Sequence, residues 1–121
     1  MIKFILPGQL KSGKNGMQVS RYGAHYPKKE WAEWRDRVVL EILDKVFERD
    51  INEPCRIRVR YFAGDKRRRD VPGMLDALYH CFERARVVTD DKWLMNVEWI
   101  SDYDKDKPRT EIEIELRNPR A

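Results

Sequence analysis

"CRIRVRY", residues 55–61, decides the fold. Its residues alternate strictly: Cys55, Ile57, Val59 and Tyr61 face one way, and Arg56, Arg58 and Arg60 the other. That is a strand with one dry and one wet face. "EIEIEL", residues 111–116, has the same alternation with the opposite charge. Three arginines facing three glutamates predict that these two strands are neighbours. "IKFIL" (2–6), stopped by Pro7-Gly8, reads as a first strand, and "LMNVEWISDY" (94–103) as another.

Two helices fit between the strands. In residues 27–50 Trp31, Trp34, Val38, Ile42 and Val46 recur at three- and four-residue spacing. Pro27 is a favoured first helical residue. The second helix is expected from about Val71 to Arg86, burying Met74, Leu75, Leu78, Phe82 and Ala85. Residues 7–26 show no period and read as a long basic loop, a length that usually carries function. The order is β-loop-α-β-α-β-β. The expected fold is α+β: one domain over residues 1–121, a small mixed β-sheet with both helices packed on one face.

The chain has 121 residues, 38% of them charged, with a formal net charge of +4. That excess is small, so its distribution matters more. Residues 1–29 hold Lys3, Lys11, Lys14, Arg21, Lys28 and Lys29 and no acid. Lys66, Arg67, Arg68 and Arg69 form a second cationic run. Two such segments suit an anionic partner such as nucleic acid, although single basic runs often serve only solubility. Cys55 and Cys81 follow no metal or redox spacing and read as core thiols of a reducing compartment, the cytoplasm. No apolar run is long enough to span a membrane. The opening "MIKFILPGQL" reads as a strand rather than a signal peptide.

"GDKRRRDVPGMLDALYHCFERARVVTDD", residues 64–91, sets cations at the start of a helix and acids past its end. Asp70 falls at the N-cap, where its carboxylate gains from the helix dipole. Asp90 and Asp91 have no such structural reason. A helix of about sixteen residues is about 24 Å long, so Asp91 meets Asp70 only if the chain turns back. Converging carboxylates would bind Mg²⁺ or Mn²⁺. The ion would polarise a phosphodiester, with the arginines holding the flanking phosphates.

"RRRD", a helix, and then "DD" resemble the RusA family of Holliday junction resolvases. The resemblance runs without gaps from about Cys55 to Trp99. More loosely it takes in "KSGKNGMQVSRYGAHYPKKEWAEWRDRV" and the last strand. It implies a small homodimeric, Mg²⁺-dependent endonuclease that cuts four-way DNA junctions by paired nicks, of a kind common in bacteria and prophages. The family pattern is D-x-D-N-x-x-K, then D-D; this chain reads "DVPGMLD", then "DD". Asp70 and Asp91 match the first and last catalytic aspartates, with Asp90 beside the latter. Pro72, Gly73 and Asp76 stand where an aspartate, an asparagine and a lysine are expected.

Positions 72 and 76 share a helix face, and helical side chains lean toward the N-terminus. Asp76 is therefore expected to return the lost carboxylate, giving Asp70, Asp76 and Asp91 as catalytic residues and these with Asp90 as metal ligands. The alternative is a solvated Asp76 paired with His80. Lys92, or a lysine of the basic loop, is expected to replace the missing lysine. Lys11, Lys14, Arg21, Lys66, Arg67, Arg68, Arg69 and Lys92 are the expected DNA contacts. "GQLKSGK" (8–14) imitates a phosphate-binding loop, but Asn15 stands where a Ser or Thr should bind Mg²⁺ and no helix follows. Two other readings stay open: a DNA-binding relative without catalysis, and a small interaction domain.

Overall fold

The structure, a computed structural model, describes residues 1–13, 17–19 and 21–116. Six strands and two helices follow in the order β1 (Ile2–Pro7), β2 (Met17–Val19), β3 (His25–Pro27), α1 (Lys29–Lys45), β4 (Cys55–Ala63), α2 (Val71–Arg84), β5 (Leu94–Tyr103) and β6 (Arg109–Leu116). The main sheet has the order β1-β6-β4-β5. Only β4 and β5 run parallel, joined through α2; the other pairs are antiparallel. This is the expected α+β fold.

The alternation in β4 and β6 has the predicted result. Ile57 pairs with Ile114 and Val59 with Ile112, all four fully or almost fully buried. Trp34, Val38 and Ile42 of α1, and Met74, Leu78 and Phe82 of α2, close over the same face. The wet face carries a row of alternating charge across all four strands, Lys3–Glu113–Arg58–Glu98. Its shortest link is not the β4–β6 one foreseen: Arg58 lies 2.8 Å from Glu98 of β5 and 3.6 Å from Glu113 of β6. Exposed pairs add little stability. Their effect is on register, because a one-residue slip would turn these charged side chains onto the buried face.

Three helix boundaries differ from the sequence reading. First, α1 begins at Lys29 rather than Pro27, because Pro27 is taken by a ladder in which it faces Met17. That ladder places a short hairpin inside the expected loop. Second, α1 ends at Lys45, five residues early. The Arg49 guanidinium turns back and donates to the Leu43, Val46 and Glu48 carbonyls, satisfying acceptors a longer helix would have paired.

Third, α2 stops at Arg84. Arg86 enters the left-handed region at φ 61°, while the Val87 N–H donates to the Phe82 carbonyl and the Arg86 N–H to that of Glu83. This is the two-bond helix stop usually built on glycine. Arg86 is held there by Asp50, 2.9 Å away. Cys55 and Cys81 are buried and unpaired, and burial pushes the Cys81 thiol up to about 12. Among the described residues no helix is long and apolar enough to cross a membrane.

Candidate metal centre

The two ends of α2 carry different chemistry. At its start, Asp70 is the N-cap: its carboxylate accepts from the Gly73 N–H at 3.3 Å and from the Ser12 hydroxyl at 3.0 Å. The Gly13 N–H donates to the Gly73 carbonyl at 3.0 Å. The segment Ser12–Gly13 thus lies across the first turn of α2. A Cβ at position 73 would collide with Ser12 Oγ and Asp70 Oδ2. Glycine at 73 lets both side chains keep these places; a larger residue would have to displace them.

At the far end, Glu83 meets the turn before β5. The Asp91 N–H donates to Glu83 Oε1 at 2.6 Å. Asp90 caps the short helical turn Asp91–Trp93, accepting from the Lys92 N–H at 2.9 Å. The ligand oxygens of Glu83, Asp90 and Asp91 all lie within 4.8 Å of one another, the single such acidic group among the described residues. Asp76, Tyr79 and Glu83 are three and four residues apart and form a stripe on α2. Burial, then Glu83, Asp90 and Asp76, raise the Asp91 carboxyl above its ordinary value. Burial first, with Asp91 and Asp76 adding to it, pushes the Tyr79 hydroxyl up to about 12. Three carboxylates held this close repel one another, and a hard divalent cation with oxygen ligands would relieve that repulsion.

The expected convergence is therefore corrected. Asp90 and Asp91 come together, but with Glu83 rather than with Asp70 and Asp76. The chain after α2 returns only as far as Glu83, thirteen residues or about 20 Å along the helix from Asp70. Asp76 is close enough for its charge to be felt at Asp91, yet stands outside the group. Neither does it pair with His80: among the described residues no ion pair joins them, and His80 lies against Trp31, ring centres 5.6 Å apart. Asp70 and Asp76 instead line a cavity between the helices. Glu83 was missed because it sits in a helix where solvated acids are common. Its signal was its seven-residue spacing from Asp76.

Among the expected DNA contacts, Lys11, Arg21, Lys66, Arg67, Arg68 and Lys92 are exposed. Lys66 lies over the Tyr103 ring at 5.2 Å and Lys92 over Trp93 at 4.9 Å. Arg69 is different: it is bound to Gln9 and Asp65, both at 2.7 Å, and ties two loops together. Lys14 lies outside the described residues. The basic run follows β4, whereas the acidic group precedes β5. Because these strands are parallel, run and group sit at opposite ends of the sheet. No protein-family model matches the chain, and no curated protein does.

Proposed function

We propose that the protein is a divalent-metal-dependent endonuclease of four-way DNA junctions, the activity its RusA resemblance implies, acting with Mg²⁺ or Mn²⁺. The observation that carries this reading is the Glu83–Asp90–Asp91 group with cations at both ends of α2. Glu83, Asp90 and Asp91 would hold the ion. When bound, it supplies polarisation of the phosphodiester and activation of the attacking water. Lys92, next to Asp91 and steadied on Trp93, takes the place of the family's lysine beside the phosphate. Lys66, Arg67 and Arg68, about 20 Å away along α2, reach the backbone about six nucleotide steps further on, at about 3.4 Å per step. Asp70 positions the start of α2 rather than binding metal.

Paired nicks call for two copies of the site. The free edge of β5 is the surface we assign to the second copy. Met95, Val97, Ile100 and Tyr103 are all exposed along it. A long apolar edge strand is a template for pairing with another chain.

The non-catalytic, DNA-binding reading has one observation of its own: the Asp70 carboxylate is already used by Gly73 and Ser12. A labelled four-way junction incubated with Mg²⁺ or Mn²⁺ separates the two. Paired nicks are expected, with Glu83→Gln and Asp91→Asn each slowing cleavage by about 100-fold or more while junction binding survives. Cleavage by Glu83→Gln at the wild-type rate would sink the proposed centre. Tight junction binding without cleavage in either metal would leave the non-catalytic relative.

A further inference from the structure

The cavity between the helices has its own chemistry. It holds about 750 Å³ and is walled by Trp31 and Arg35 of α1 and by Pro72, Gly73, Asp76 and His80 of α2, with Asp70 at its rim. Three of those residues, Pro72, Gly73 and Asp76, stand at the positions where the chain departs from the RusA pattern. The substitutions are therefore not scattered; together they make one wall. Pro72 offers no N–H, Gly73 no side chain, and Asp76 a carboxylate.

The opposite wall is aromatic and cationic. Trp31 packs against His80 at 5.6 Å, and the Arg35 guanidinium lies 5.6 Å from the Trp31 ring centre. The Arg35 side chain is only 13% exposed, and its ion-pair partner is the well-exposed Asp36. The Trp31 indole N–H is shielded from solvent and has no acceptor among the described residues. Buried donors left unpaired are rare. Burial first, then Arg35 and Arg84, lowers the pKa of His80. At neutral pH His80 is thus an uncharged ring, suited to stacking.

A ligand matching this groove is planar, presents adjacent N–H donors to carboxylates at one end, and carries an anion toward Arg35. We propose that the groove receives an unstacked guanine nucleotide of the DNA. Asp76 accepts from the N1–H and N2–H₂ edge with its two oxygens. Trp31 and His80 hold the ring, and Arg35 faces the phosphate. Of the four bases, guanine alone offers two neighbouring donors on that edge to the two oxygens of a carboxylate. Bases taken out of the stack are read in this manner, by their pairing edge and by aromatic side chains. The inference rests on the reading of the protein as one that acts on DNA.

Its test needs neither metal nor cleavage. The intact protein is titrated in chelator with dGMP, dAMP, dCMP and dTMP, following tryptophan fluorescence and the indole N–H resonances. Expected is dGMP binding tighter than the other three by at least about tenfold, with one indole resonance shifted and that resonance missing in Trp31→Phe. Asp76→Asn, an exposed position that the fold does not need, should abolish the preference, and Glu83→Gln should keep it. Equal affinity for all four nucleotides, no saturable dGMP binding below about 10 mM, or a preference that survives Asp76→Asn would overturn the pocket. Junction cleavage is scored separately. Guanine binding by a protein that cuts nothing supports the pocket and sinks the nuclease. Cleavage without guanine preference does the reverse.

Discussion

Gly73→Ala tests how the start of α2 is built. A helix interior ordinarily prefers alanine to glycine by about 1 kcal/mol, so a helix considered alone would be stabilised. Here the new Cβ would meet Ser12 Oγ and Asp70 Oδ2, and both side chains must leave. Two hydrogen bonds go with them, Asp70 to the Gly73 N–H and Ser12 to Asp70. Losing the cap costs about 1 kcal/mol. Losing the hydroxyl–carboxylate bond costs about 1.5 kcal/mol.

The balance is a net destabilisation of about 1–2 kcal/mol, or about 4–8 °C in Tm for a chain of this size. Urea unfolding followed by circular dichroism measures it. Asp70→Ala removes the same two bonds, so the two changes should not add. In the Asp70→Ala background, Gly73→Ala should become neutral or stabilising, a coupling of about 2 kcal/mol. If Gly73→Ala stabilises the otherwise unaltered protein, or the effects add to within about 0.5 kcal/mol, the crossing of Ser12 over α2 is not what fixes glycine at 73. Asp70→Asn keeps the cap, and its stability should stay within about 0.5 kcal/mol of the parent.

The raised Asp91 carboxyl has a definite sign. The folded protein binds that proton more tightly than the unfolded chain does, so without metal this group stabilises the fold at low pH and the benefit is lost as pH rises through the raised value. Asp91→Asn should remove this loss and raise the metal-free Tm at neutral pH; a lower Tm in the variant, measured across that range, would contradict the crowded-carboxylate account. Val97→Asp, on the free edge of β5, should convert a dimer to monomer in light scattering at micromolar concentration while leaving the helical signal unchanged. A parent protein that is already monomeric there, with and without junction DNA, would remove β5 as the pairing surface.

What was legible in the sequence was what periodicity controls. Strict alternation in 55–61 and 111–116 gave both strands and their adjacency, because the period-two pattern has one solution once a face is buried. Helix ends were less legible. Arg49 reaching back onto α1, and Arg86 taking a glycine's backbone conformation because Asp50 holds it, are contacts between distant residues. No local preference announces them. The site was half legible. Asp90 and Asp91 stood out as paired acids past a helix end, and both lie in the acidic group, although Asp90 also caps the turn Asp91–Trp93. Glu83 did not stand out, because a glutamate in a helix is ordinary. The convergence with Asp70 failed on length: α2 runs fourteen residues past that cap, and the turn after it returns only to Glu83.

The position of β6 bears on how the chain is made. It is the last strand in sequence order, yet it lies between β1 and β4. A ribosome releases β1 first, with nothing to pair to. β4, α2 and β5 emerge as a local unit and can dock as soon as they clear the exit tunnel. Ile2, Phe4 and Leu6 must wait for Thr110, Ile112 and Ile114, more than a hundred residues later. Until residue 116 is out, the nascent chain exposes a bare edge on β4 and the unpaired apolar strand β1. Synthesis paused inside "DYDKDKP" (102–108) would hold the chain at its most aggregation-prone, and the six charged or turn-forming residues there space the last strand from the rest at that point.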